Sequence, residues 1–211
     1  MIDLYCERLG PGLWAEPLNA LTNLGFLVAA LASWQLARRA GPADGSVLAL
    51  IAMMVAIGAG SALFHTFATG WARVLDVLPI LLFQLWFLWL YSRTVVGARS
   101  TYSAVLVSGF LLAALLARQF PEVLNGSLTY VPALVVLAGL GVYHYGVGRQ
   151  ERLSLLAAAG AFALSLSFRT MDQAVCSLVP SGTHFLWHLL NAVVLYLAFR
   201  SLNANRRTAI R

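Results

Sequence analysis

The chain has 211 residues, 60% of them hydrophobic and only 10% charged, with a mean hydropathy of +0.79; soluble domains carry roughly 45–50% apolar and about 25% charged residues. Polar groups could not cover such a chain in water, which excludes an ordinary soluble fold, and the length accommodates roughly seven spans of about 20 residues with no separate soluble domain. The net charge of +6 does not mark a nucleic-acid binder, because all fourteen basic residues are arginines scattered between apolar runs instead of gathered on one face.

The N-terminal segment, from Met1 to Arg8, contains Asp3 and Glu7 and lacks the basic start and short apolar core of a secretory signal, so the first span is expected to remain in the mature protein. Apolar runs follow at roughly 18–37, 46–67, 74–92, 101–117, 128–147, 153–168 and 182–199, each bounded by Arg, Pro or Gly. In lipid these runs must be helices, since each unpaired backbone group would cost several kcal/mol. The fourth and sixth are short, near the lower limit of about 17 residues, and six or eight spans are also compatible with the pattern. The predicted fold is all-α: residues 1–211 as one seven-transmembrane-helix bundle, with a short outside segment 1–17 and a short cytoplasmic tail 200–211.

Seven spans put the termini on opposite sides. One side then carries Arg38, Arg39, Arg93, Arg99, Arg149, Arg152, Arg200, Arg206, Arg207 and Arg211, the other only Arg8, Arg73, Arg118 and Arg169. Arginine-rich connections stay in the cytoplasm, so the C-terminus is expected there and the N-terminus in the periplasm or a lumen. High alanine with no lysine suggests a GC-rich bacterial source, and hence a multi-pass protein of the bacterial inner membrane.

This arrangement brings His65, at the end of the second span, to the level of His184 and His188, at the start of the seventh. Residues four apart share a helical face, so His184 and His188 can reach one ion, with His65 the third ligand across the bundle. His184-Phe185-Leu186-Trp187-His188 has no glutamate in its second position, unlike the zinc-protease helix, so a base must come from elsewhere. Asp76 enters the third span at the same level, and an intramembrane carboxylate is expensive enough to imply function. Ser61 lies one turn from His65. Three neutral imidazoles leave a zinc position open to water, whose pKa falls toward about 7. Asp76 is then the candidate base and proton donor, and Ser61 the candidate oxyanion donor, for hydrolysis of an amide or ester. Serines and glycines also serve close helix packing, the role expected of Gly58 and Gly60. His144, between Tyr143 and Tyr145 at the other end of the fifth span, is read as a packing and hydrogen-bonding residue.

At these residues the sequence resembles the alkaline ceramidase family, in the superfamily that also holds adiponectin receptors. The resemblance lies in Ser61-x3-His65, in Asp76 eleven residues later, in Gly182-Thr183-His184-Phe185-Leu186-Trp187-His188, and extends from Cys6 to Asn191. It implies zinc on the three histidines, Ser61 and Asp76 in the active site, and cleavage of a membrane lipid's N-acyl amide, as in ceramide; the acyl chain would lie between helices, with Phe83, Trp86 and Phe87 as candidate lining residues. It further implies a Cys6–Cys176 disulfide over the site. A calcium site near the N-terminus is matched only in part, by Tyr5-Cys6-Glu7 and Glu16-x2-Asn19-x3-Asn23, with Asp3, Glu7 and Glu16 as candidate ligands. Here the loop from Glu7 to Glu16 looks about two residues short, Leu9 stands where an asparagine is expected, and Glu16 before Pro17 could instead cap the first helix.

Arg169-Thr170-Met171-Asp172 is given no catalytic role, its charges being expected to pair with each other or with N-terminal carboxylates. A zinc-containing receptor with little turnover is the alternative reading, and a transporter using the histidines and Asp76 as an ion path is a third. Repeats and midplane helix breaks, expected of transporters, are not evident. Nothing in the sequence calls for nucleic acid or an obligate protein partner; the expected partner is the lipid substrate.

Overall fold

Helix is what a chain this apolar is forced into, and a computed structural model, which describes residues 1–39, 41 and 44–206, contains seven helices long and apolar enough to cross a membrane. We number them α1 (Pro17–Arg39), α2 (Gly45–Phe67), α3 (Gly70–Val96), α4 (Ser100–Ala117), α5 (Val123–Gly146), α6 (Ser154–Met171) and α7 (His184–Asn205). The sequence-predicted spans agree in number and order. Arg207 and Arg211 of the arginine count, and the end of the tail, lie outside the described residues.

The largest difference is at the end of α7, which continues six residues past the expected stop at 199 to Asn205. Hydropathy fails there because Asn203 and Asn205 are polar, but both are buried, and Asn205 is held by Gln150, whose backbone N–H donates to Oδ1 at 2.9 Å and whose carbonyl accepts from Nδ2 at 2.9 Å. Two spans are irregular. In α1 the pieces Pro17–Thr22 and Leu24–Arg39 meet at Asn23, whose Nδ2 donates to Asn19 O at 2.8 Å. In α5 a 3-10 stretch with left-handed residues at Leu124, Asn125 and Gly126 precedes the regular helix Val131–Gly146.

Each helix packs against its neighbours in the chain, and α7 closes the circle against α1. At one end the closure is fastened by an ion pair from Arg206 to Asp44, the carboxylate that caps α2 by accepting from Val47 N at 3.0 Å. His144, buried at this same end, accepts from the Tyr91 hydroxyl at 2.5 Å and donates to the Gln150 carbonyl at 2.8 Å, the packing role expected of it. The ring surrounds an apolar cavity to which every helix contributes, including Phe26, Ile57, Phe83, Phe110, Phe162 and Val194. Phe83 and Phe87 line it as expected. Trp86 does not; its indole N–H donates to Ser46 O at 3.1 Å.

The α2–α3 contact is the most extensive in the ring, and its close approach at Gly60 has a local cause. Pro79 stands inside α3 and has no N–H to offer the carbonyl of Leu75 four residues back. That carbonyl abuts Gly60 on α2, where an added Cβ would overlap Leu75 backbone atoms. The approach sets Ser61 opposite Asp76, each next in sequence to a contact residue. Gly60→Ala should therefore cost about 1–3 kcal/mol by overpacking, read as a lower thermal midpoint in detergent. A displacement of about 1 Å at this seam should also cut turnover by up to 100-fold. A variant with wild-type stability and activity would refute the seam's importance.

Candidate metal centre

The ends of α2 and α6 and the beginnings of α1, α3, α5 and α7 meet at the end of the ring opposite Asp44. Here His65, His184 and His188 are buried together, with one ring nitrogen from each within 4.8 Å of the others. Of the described histidines, cysteines and carboxylates, only this group is so disposed to hold a metal.

The hydrogen bonds assign the tautomers. His65 Nδ1 lies 2.5 Å from Glu16 Oε2 and must donate to it. The Thr22 hydroxyl donates its single hydrogen to a carbonyl of the preceding turn, Leu18 O at 2.8 Å, and so accepts from His188 Nδ1 at 3.0 Å. Both Nε2 atoms are left with lone pairs, and these face each other at 3.1 Å. Two such lone pairs repel unless a proton or a metal ion lies between them. With Zn–N bonds of about 2.0–2.1 Å in a tetrahedron, ligand nitrogens stand about 3.3 Å apart, close to the spacing seen. The third histidine supports the same fit: His184 Nδ1 is buried with no hydrogen-bond partner among the described residues. An all-imidazole set suits zinc and its neighbours better than magnesium or calcium.

Each ligand is held from behind. Asp172 accepts from the backbone N–H groups of Thr183 at 2.7 Å and His184 at 2.9 Å, capping α7, while its second oxygen accepts from Cys6 N at 3.0 Å. Its charge is thus spent on helix start and N-terminal segment, and not on Arg169 as the sequence suggested. Cys6 and Cys176 are disulfide-bonded with Cα atoms 5.3 Å apart, fastening the N-terminal segment to the loop before α7. Tyr5, buried beside Cys6, stacks on His184 with centroids 3.6 Å apart, and burial pushes its phenol pKa up.

Glu16, a candidate calcium ligand by sequence, is engaged by Arg8 and His65. The buried Arg8 guanidinium forms an ion pair with Glu16 and also donates to His65 O at 2.7 Å. Burial works against the charge of Glu16, but the hydrogen bond from His65 and the Arg8 guanidinium outweigh it and hold the carboxyl below its usual range. Glu7 is engaged elsewhere, accepting from Leu18 N at 2.6 Å and Asn19 N at 2.8 Å at the start of α1. Asp3 is exposed beside a separate surface cleft. Calcium takes six to eight oxygens around one point; in the structure Glu16 faces the Arg8 guanidinium, Glu7 the start of α1, and Asp3 stands apart from both. Outer partners of metal-bound histidines typically govern affinity by about 10–100-fold, so Glu16→Gln should weaken metal retention by that factor in a chelator competition. Unchanged retention would separate Glu16 from the centre.

Ser61 and Asp76 share a small cavity with His184, His188, Tyr5 and Arg169. The Ser61 hydroxyl stands beside the Asp76 carboxylate. Arg169, passed over in the sequence, donates to Asn125 O and Ser127 Oγ, both at 2.9 Å, and lies over the rings of Tyr130 and Trp187. Its position at the lipid-embedded end of α6, on the arginine-poor side, was the available signal. Phe26, Ile57, Ile80, Tyr130 and Trp187 line both this cavity and the large apolar one, so the polar site opens directly onto the space inside the ring.

Against this geometry, residues 11–208 match the family model described as Ceramidase. The chain belongs to the Ceramidase family. The sequence resemblance is thereby borne out, and membership supports a hydrolase of amide bonds with a histidine site able to hold a metal. No curated protein matches the chain.

Proposed function

We propose that this Ceramidase family member is a zinc-dependent amidase that works within the membrane, cleaving the N-acyl amide of ceramide or a similar lipid into fatty acid and amine. The observation that carries the proposal is the joining of a three-histidine centre to a cavity lined by all seven helices. An acyl chain in that cavity would present its carboxamide to Asp76, Ser61 and the histidines.

A zinc ion on His65, His184 and His188 supplies Lewis acidity, making water more acidic and the amide carbonyl more electrophilic. Asp76 accepts the proton lost by the attacking water and returns it to nitrogen as the carbon–nitrogen bond breaks, consuming one water per fatty acid and amine released. Ser61 has one hydroxyl hydrogen. While Asp76 is ionised that hydrogen holds the carboxylate in place; once Asp76 is protonated it is free to turn to the amide oxygen, where negative charge has built up. Water exclusion by the surrounding Phe, Ile and Trp side chains strengthens each of these interactions.

The ten-to-four arginine bias supports a cytoplasmic C-terminus, which puts the site at the outer leaflet of what composition suggests is a bacterial inner membrane. The seven helices act as one domain, and the partner is the lipid. The test is fatty-acid release by purified protein in detergent from ceramides and other N-acyl lipids of several chain lengths. Release that stops on metal removal and returns with zinc is expected. No release from any N-acyl lipid would overturn the proposal.

A further inference from the structure

Outside the small cavity of Ser61 and Asp76 lies a polar vestibule, adjoining it at Tyr5, Asp76, Tyr130 and Arg169, which line both spaces. Its rim carries Arg73 from the first turn of α3 and Arg118 just after α4. Both are exposed, and neither side chain forms a hydrogen bond or salt bridge among the described residues. The other two arginines expected on this side are engaged, Arg8 with Glu16 and Arg169 with Asn125 and Ser127. Three guanidiniums therefore line the vestibule against two carboxylates, Asp76 and Glu122, and Glu122 is salt-bridged to neither rim arginine. Arginine is scarce on this side of the chain, yet half of its complement stands unpaired at the site entrance. The field of Arg73 reaches the Asp76 carboxylate.

We propose that Arg73 and Arg118 bind an anionic group, a carboxylate or a phosphate, on the amine half of the N-acyl lipid. This rests on the amidase reading and deepens it. With the acyl chain inside the ring and the amide at Asp76, the amine portion emerges into the vestibule, where the paired donors of a guanidinium match the oxygens of either anion. A neutral sphingoid head would leave both guanidiniums without a counter-charge.

The experiment uses the full chain in a non-ionic detergent, free of anionic lipid, and pairs of amphiphiles differing in charge: N-palmitoylglycine against N-palmitoylethanolamine, and ceramide phosphate against ceramide. Binding is followed by tryptophan quenching and turnover by fatty-acid release. The anionic member of at least one pair should bind about 10-fold more tightly or better, as charge-assisted bidentate contacts allow, and added salt should narrow the gap. Which pair responds identifies carboxylate or phosphate. In Arg73→Gln/Arg118→Gln the ratio within that pair should fall toward one. Equal binding within both pairs, or a preference that survives the double substitution, overturns the proposal, as does an effect of the substitutions confined to adsorption on anionic vesicles. A charge preference in binding without hydrolysis of any N-acyl lipid would remove the amidase reading while leaving the anion site standing.

Discussion

Purified protein is expected to hold about one zinc per chain, and His188→Ala to hold almost none. The structural reason is that His188 supplies one of only two nitrogens whose lone pairs the hydrogen bonds fix toward each other, across 3.1 Å. Without it His65 and His184 remain, and two imidazoles fall short of the three protein ligands usual in a catalytic zinc site. The loss of affinity should exceed the roughly 10–100-fold that removal of an outer partner causes, and fatty-acid release should fall with it. Elemental analysis of gel-filtered protein, with helicity checked by circular dichroism, provides the measurement. A metal-free wild type would refute the centre, and zinc retained at wild-type occupancy in a folded His188→Ala would remove that residue from it.

Asp76→Asn should do the reverse, leaving the metal in place and removing the chemistry. Asp76 does not belong to the histidine cluster, so zinc content should match wild type. The amide cannot take a proton from water at neutral pH, and kcat should fall by about 100- to 10,000-fold, the usual contribution of a positioned acid–base group. KM should move less, because the acyl cavity is untouched. Activity within a few-fold of wild type would show that the proton travels by another group, and loss of zinc would show that Asp76 supports the ligands. Together the two variants separate metal binding from proton transfer.

The readable part of the sequence was the part that lipid forces or that local spacing fixes. Apolar runs had to be helices, and their parity, with the arginine bias, put His65 and His184 at one level. The spacing of His184 and His188 required no tertiary information. By contrast, Asp3, Glu7 and Glu16 read as candidate calcium ligands, because carboxylates spaced along a sequence do not reveal which groups each will face. Asp172 read as a loop charge, since capping α7 and binding Cys6 N requires the N-terminal segment to be folded over it. Arg169 read as the start of the loop after a span ending at 168, whereas it lies on α6 beside Tyr130 and Trp187. The Gly60–Leu75–Pro79 seam was only half visible: packing was expected of Gly60, while the carbonyl released by Pro79 depends on which helix lies opposite.

The closing of the ring by α7 against α1 makes the histidine cluster a property of that seam. Two of the three histidines reside on α7, while Glu16, just before α1, and Thr22, on α1, hydrogen-bond His65 and His188. Neither helix carries the cluster by itself, and α2 adds only His65. The centre is therefore complete only while these helices are packed together, so any opening of the α1–α7 seam takes it apart.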